Sequence, residues 1–228
     1  VGQCPTDMST RTAVAMPPMH RSASRAMRRF RPYNPGMQPE KPYASRAGEK
    51  LAAAMDAFDV TAHGRTCADL GSNVGGFVDC LLRRGAVRVY AIDTGYGVLA
   101  YPLRRDPRVV VMERTNAMHV VLPEPVELVT IDVAWTPQRR ILPAARRMLS
   151  ASGEVITLIK PHYEAGQHRL QRGVLPADEL DAVLAQVLDD IRATGFEVLG
   201  TIRSPIAGQG GNTEFLAHLR PLDASPVE

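Results

Sequence analysis

The chain has 228 residues and a mass of 24.8 kDa, enough to bury a sizeable core, most naturally as one domain with an appendage. Its 45% hydrophobic and 22% charged residues are ordinary for a soluble globular protein, and no apolar run approaches the roughly 18 residues needed to span a bilayer. Three cysteines, Cys4, Cys67 and Cys80, share no metal-ligand spacing and form no disulfide framework, so a reducing, cytoplasmic compartment is expected.

The net charge of +3 is unevenly placed. Arg11, Arg21, Arg25, Arg28, Arg29, Arg31 and Lys41 stand against only Asp7 and Glu40 in the first stretch of chain. Proline, methionine, arginine and serine dominate there without apolar periodicity, so residues 1–42 read as a flexible basic arm suited to a polyanion. A tail with no partner and an acid-poor transit peptide are the competing readings of the same composition.

From Ser45 the pattern turns helical, with Leu51, Met55 and Phe58 on one face. Short β-branched runs then alternate with longer amphipathic ones. Strands are expected at 65–70, 87–92, 108–112, 126–131 and 154–159, and helices at 74–85, 136–149 and 177–195. Two closing strands follow, "EVLGTI" and "TEFLAHL". This alternation predicts an α/β fold, a mostly parallel seven-stranded sheet with helices on both faces. Residues 43–220 would form it, with a short tail at 221–228.

Ligands of such sheets bind beyond the carboxyl ends of the strands, where strand order reverses. The polar strand-end residues are Asp69, Asp93, Asp132 and Lys160. After Asp69 runs a glycine turn, Gly71-Ser72-Asn73-Val74-Gly75-Gly76. It is neither the dinucleotide fingerprint nor a P-loop, since no Gly-Lys-Ser/Thr follows. With Asp93 able to accept both hydroxyls of a ribose, the pair fits a nucleoside ligand without a pyrophosphate, such as S-adenosylmethionine. Asp69 would hold the turn near its cationic amino acid end. The alternative is a plain strand–turn–helix junction whose glycines only pack.

Lys160 and Asp132 end sequential strands, Glu214 enters the last strand, and Lys50 lies near the start of the first helix. Gathered at one cleft, the two lysines and two carboxylates would let Lys50 disfavour the charged form of Lys160 while the carboxylates orient it. A lysine so placed can remove a proton from an alcohol. Taken singly, each residue is more often a surface ion-pair partner.

The segments "YASRAGEKL", "DLGSNVGGFVDCLLRRG", "PEPVELVTIDVAW", "LIKPHYEAG" and "SPIAGQGGNTEFLAHL" carry a resemblance. Residues 43–219 resemble the TlyA (haemolysin A-like) branch of the FtsJ/RrmJ-type RNA ribose 2′-O-methyltransferases. The resemblance implies a class I (Rossmann-like) methyltransferase fold and S-adenosylmethionine as cofactor. It implies RNA as partner, ribosomal RNA or a ribosomal subunit above all, with no membrane. It also implies a catalytic tetrad of Lys50, Asp132, Lys160 and Glu214. By the same resemblance Gly71, Ser72, Gly75, Gly76 and Phe77 border the cofactor, Asp93 takes its ribose and Asn116 lies beside its adenine. Residues 1–42 are too short and proline-rich for the S4 domain usual in that branch. Trp135 stands where Phe is usual and reads either as a base-stacking platform or as a packing residue. A small-molecule O-methyltransferase and a non-catalytic RNA-binding protein are the other functional readings. A membrane-lytic activity finds no support in the sequence.

Overall fold

The computed structural model describes Val1 and residues 43–222. The expected basic arm and all but the first two residues of the expected tail lie outside the described residues.

Tyr43 and Ala44 lead into helix α1 (Ala47–Phe58), which buries Leu51 and Met55 and stops at Asp59 in a left-handed conformation. Strand β1 (Thr66–Leu70) leads through the glycine turn into α2 (Gly76–Arg83), and Gly85, at φ 89°, ends that helical segment. There follow β2 (Arg88–Ile92), α3 (Tyr101–Arg105), β3 (Val109–Met112), β4 (Val126–Ile131) and α4 (Gln138–Met148). The chain closes with β5 (Leu149–Ile159), α5 (Pro161–Glu164), α6 (Leu180–Ala193), β6 (Phe196–Arg203) and β7 (Phe215–Pro221). The helices begin two or three residues later than their sequence patterns, because the first residues of each pattern form the entry turn. The short α3 and α5 carry too few residues for a periodicity to reveal them.

The seven strands form one sheet in the order β3-β2-β1-β4-β5-β7-β6. β1 pairs in parallel with both β2 and β4, and β4 with β5. Order therefore reverses between β1 and β4, which is where a cleft opens in such sheets. β7 is the one strand that runs against its neighbours, inserted between β5 and β6. The sheet is mixed in that single respect, because the loop after β6 returns the chain as a hairpin and not through a crossover helix.

Helices α1 and α2 cover one face over a core of Leu51, Met55, Phe77, Leu81 and Ile156. α4 and α6 cover the other over Leu70, Ile92, Ile131, Ile141 and Phe196. The α1–α2 contact is close. A Cβ on Gly48 would lie 2.8 Å from the Gly76 carbonyl oxygen, and one on Gly76 would lie 2.9 Å from the Gly48 nitrogen. The Ala44 N–H donates to Asp79 Oδ2 at 2.8 Å, and the Arg83 guanidinium sits 5.1 Å from the centre of the Tyr43 ring, so the lead-in to α1 is also tied to α2.

Helix propensity alone favours alanine over glycine by up to about 1 kcal/mol. Overpacking of a backbone-to-backbone contact costs about 1–3 kcal/mol, so contact should outweigh propensity here. Gly76→Ala is therefore expected to lower stability, read as a lower urea midpoint with an unchanged slope. A variant as stable as the parent would show that the two helices need not approach this closely.

Candidate active site

The first half of the site is built by the turn after β1. Gly71 takes φ 89°, and its missing side chain lets the chain pass the Asp132 carbonyl, whose oxygen a Cβ would meet at 2.5 Å. The Gly71 and Ser72 N–H groups both donate to the Ile92 carbonyl, at 2.9 and 3.1 Å, which ties the turn to the end of β2. Asp93, just past that end, receives the Asn73 N–H on Oδ2 at 2.8 Å and the Gly95 N–H on Oδ1 at 2.7 Å. Each carboxylate oxygen keeps a lone pair for a ligand hydroxyl, with its orientation already fixed. Gly75 serves a different purpose. At φ 100° its absent Cβ makes room for Leu99 and Leu103, so it packs α3 against the turn and does not line the cleft.

A cleft of about 460 Å³ opens here, lined by Gly71, Asn73, Asp93, Asn116, Asp132 and Trp135, with Val98 and Met118 as apolar walls. A smaller recess of about 70 Å³ adjoins it, lined by Ser45, Asp69, Ser72, Gly76, Phe77 and Asp132. Asp69 is fully buried beneath this recess. Its Oδ1 accepts a hydrogen bond from the Thr130 hydroxyl at 2.7 Å, whereas Oδ2 has no partner among the described residues. Burial pushes the carboxyl up to about 8; the Thr130 hydroxyl opposes this, while Asp132 and Asp93 add to it.

The second half is charged. Lys160, the residue after β5, forms an ion pair with Asp132, the residue after β4, at 2.6 Å and donates to the Val133 carbonyl at 3.2 Å. Glu214 precedes β7, whose Phe215 is paired with Ile159, so the same register carried one residue further sets Glu214 beside Lys160. Glu214 is ion-paired with Lys50 of α1. Gly208 makes room for that carboxylate, since a Cβ there would collide with it. Both lysines act on a common neighbour: His162, in α5, is held below its ordinary value by burial, then by Lys160 and by Lys50. Lys50, Asp132, Lys160 and Glu214 thus stand as two ion pairs at adjacent strand ends on one side of the cleft.

Beside them lies an aromatic pair. The Trp135 and Tyr163 rings are 4.3 Å apart, and Tyr163 in turn lies 4.2 Å from His162 and 5.7 Å from Lys160 Nζ. Trp135 is 71% exposed and adopts φ 60°, a conformation that bulky residues avoid at a cost of about 1–3 kcal/mol. A packing role explains neither its exposure nor that backbone.

Sequence patterns do not reveal Thr130, His162 or Tyr163. Thr130 lies inside a strand, and the other two lie past Pro161, beyond the strand end. A proline that opens a helix, here directly after a strand-end lysine, is the one signal that extends the search to them. Cys67 and Cys80 are buried in the α1–α2 core, their thiols pushed by burial up to about 12 and about 11, which leaves no thiolate nucleophile among the described residues. Among the described residues there is no cluster that could hold a metal ion and no helix long and apolar enough to cross a membrane.

Residues 43–221 match the family model described as FtsJ-like methyltransferase. The chain is 40% identical to YqxC of Bacillus subtilis over 186 residues, 78% of this chain and 65% of that protein. It is also 40% identical to the 16S/23S rRNA (cytidine-2′-O)-methyltransferase TlyA of Mycobacterium tuberculosis over 188 residues, 79% of this chain and 69% of TlyA. The chain thus spans just under two thirds of YqxC and slightly more of TlyA. A solved Lactococcus lactis structure that bears a hemolysin name superposes with a TM-score of 0.74 at 40% identity, covering 78% of this chain and 88% of that one. At 17% identity, an S-adenosylmethionine dependent methyltransferase of Mesorhizobium loti superposes with a TM-score of 0.57 over 77% of this chain and 100% of its own, which establishes the shared fold alone. With the family model covering nearly the whole described chain and relatives at this identity, the protein belongs to the FtsJ-like methyltransferase family.

Proposed function

We propose that the protein is an S-adenosylmethionine-dependent RNA ribose 2′-O-methyltransferase that acts on ribosomal RNA in the cytoplasm. The observation that carries this reading is the pairing of Lys160–Asp132 with Lys50–Glu214 at the mouth of a cleft whose other wall is Asp93. The names of the relatives support ribosomal RNA as the substrate.

The described residues fit the cofactor. Asp93 is oriented to receive two vicinal hydroxyls, and Asn116 with the Val98 and Met118 walls suits an adenine. Asp69 carries a buried, partnerless oxygen that a cationic amino group would satisfy. When bound, S-adenosylmethionine supplies a methyl group activated by a positively charged sulfur. The chain's own task is to bring up and activate a ribose hydroxyl, a poor nucleophile. Lys160 accepts the hydroxyl proton, Asp132 holds the lysine in place, and Glu214 holds Lys50 and the incoming ribose. Trp135 and Tyr163 offer an aromatic platform at the entrance, where stacking contributes about 1–3 kcal/mol per base. The basic N-terminal arm adds phosphate contacts.

The direct test supplies labelled cofactor and ribosomal subunits and maps the 2′-O-methyl marks formed. Lys160→Ala and Lys160→Arg should both lose turnover by about 100-fold or more while cofactor affinity is kept, because a guanidinium cannot accept the proton. An arginine variant with near-normal turnover would reduce Lys160 to a positive charge. Asp93→Ala should weaken cofactor binding by about 1–3 kcal/mol in calorimetry, and an unchanged affinity would remove Asp93 from the site.

Asp69 gives a separate test. Its carboxyl is raised from the ordinary 3.8 to about 8, so between those values the folded protein holds a proton that the unfolded chain has lost. Stability therefore falls as pH rises through that window. Asp69→Asn removes the dependence, and its stability advantage over the parent should grow from about pH 5 to about pH 8 in urea titrations. A constant difference across that range would mean that the carboxyl is not held protonated.

A further inference from the structure

The segment that leaves β4 and the short helix that follows β5 are joined at four points. Lys160 pairs with Asp132 at 2.6 Å and donates to the Val133 carbonyl at 3.2 Å. Further along both segments, the Trp135 and Tyr163 rings stand 4.3 Å apart. Last, the backbone N–H of Gln138, the first residue of α4, donates at 2.9 Å to Oε1 of Glu164, the last residue of α5. Along both segments the aromatic pair therefore lies between two clamps, the lysine on one side and Glu164 on the other.

The second clamp is firmly based. Gln138 is buried, and its side-chain amide donates to the Leu158 carbonyl at 3.2 Å and accepts from the Thr157 hydroxyl at 2.7 Å. Gln138 is thus fixed to β5, and a carboxylate bound to its N–H is fixed with it. Glu164 is partly buried, and burial pushes its carboxyl up; the Gln138 N–H and then Arg139 oppose this, while Asp190 adds to it. The first N–H groups of a helix are ordinarily served by water or by a short side chain at the N-cap. The N-cap of α4 is Pro137, which offers no side-chain hydrogen bond. The reach of Glu164 from the next loop does more than cap: it ties α5, and Tyr163 with it, to the start of α4. Trp135 depends on such a hold, because a bulky residue at φ 60° persists only where its surroundings over-determine it.

We propose that Glu164 is a positioning residue for substrate binding: by accepting the Gln138 N–H it fixes the Trp135–Tyr163 pair as a rigid surface on which a base of the RNA stacks. The inference rests on the reading of that pair as an RNA-facing platform, and it gives Glu164 no part in the chemistry of Lys160. A surface already held in its bound geometry spares the complex the cost of ordering it. The stacked base is held alike before and during methyl transfer. Losing the clamp therefore removes uniform binding, which raises the RNA KM and leaves kcat in place.

Trp135 is the single tryptophan of the chain, so the decay of its fluorescence anisotropy reports on the platform without any turnover. The experiment compares the parent, Glu164→Ala and Glu164→Gln in that decay and in methylation of ribosomal subunits with labelled S-adenosylmethionine. In Glu164→Ala the fast component of the decay should grow. Its KM for the subunits should rise about 10-fold, within what one stacked base contributes. Its kcat and its calorimetric cofactor Kd should stay as in the parent. Glutamine keeps a carbonyl oxygen that can accept the Gln138 N–H, so Glu164→Gln should restore both the decay and the KM. A merely structural role would lower the urea midpoint of Glu164→Ala and move neither readout. Parent-like decay and KM in Glu164→Ala overturn the proposal. So does a glutamine variant as impaired as the alanine one, which would make charge the cause, or a weakened cofactor Kd, which would mean a disturbed cleft. A parent protein that methylates no RNA would instead overturn the functional reading, and the task of the platform with it.

Discussion

Lys50 comes from the first helix and Glu214 from just before the last strand of the domain, and they are 12% and 4% exposed. Charges this far from water are tolerated only when each neutralises another, and removing one partner of such a pair costs about 3–5 kcal/mol. The pair therefore constrains the whole molecule. α1 must lie over the sheet where β7 begins, and β7 must begin where β5 ends. Separating the two would leave a buried charge without its partner. The glycine contact of α1 with α2 is what permits it, because α1 reaches the sheet only by lying against the α2 backbone.

The reversed strand has the same logic. Had β7 run parallel to β5, its beginning would lie at the opposite edge of the sheet, and Glu214 with it. Running antiparallel, it starts at the carboxyl edge, so that a residue from the entrance of one strand joins residues from the exits of β4 and β5. The cleft and the charged cluster then share Asp132, whose carbonyl meets Gly71 while its carboxylate holds Lys160. One residue thereby joins the nucleoside side of the site to its basic side. Local cost is concentrated at the same edge: a buried carboxyl with an open oxygen, an exposed tryptophan at positive φ, and a buried imidazole without a partner. Two of the three buried side-chain atoms without a partner among the described residues lie here, a clustering of the kind expected at a functional site.

Period and punctuation made the seven strands legible, since apolar runs bounded by Gly, Pro or Asp are local signals. They also made the strand-end residues legible, because in a parallel sheet the last residue of a buried run must emerge at the ligand edge. Strand order was legible only in part. The hairpin between β6 and β7 carries a loop with Gly208, Gly210 and Gly211, and nothing local states which way the returning strand pairs. The glycine turn was legible as a site for close approach but not glycine by glycine: Gly71 clears Asp132, whereas Gly75 clears Leu99 and Leu103, in and just before a helix too short to show any period. Thr130, His162 and Tyr163 stayed hidden because their neighbours are set by packing across 61 residues in one case and by a single turn of helix in the others.

The two ion pairs differ in what fixes them, and the difference bears on how the site works. Lys160 and Asp132 extend neighbouring parallel strands whose backbone ladder sets their separation, so this pair is as rigid as the sheet. Lys50 and Glu214 are joined across a helix–strand contact, which has no ladder and depends on side-chain packing. A proton acceptor must be held within hydrogen-bond reach of its target, so it belongs on the rigid pair. Under the proposed function a substrate as large as RNA must be admitted and released, so the groups that receive the ribose are better carried by the pair that only packing holds. Under the proposed function, Lys160 just past β5 and Lys50 on α1 meet both requirements, and the Trp135–Tyr163 pair lies close to Lys160.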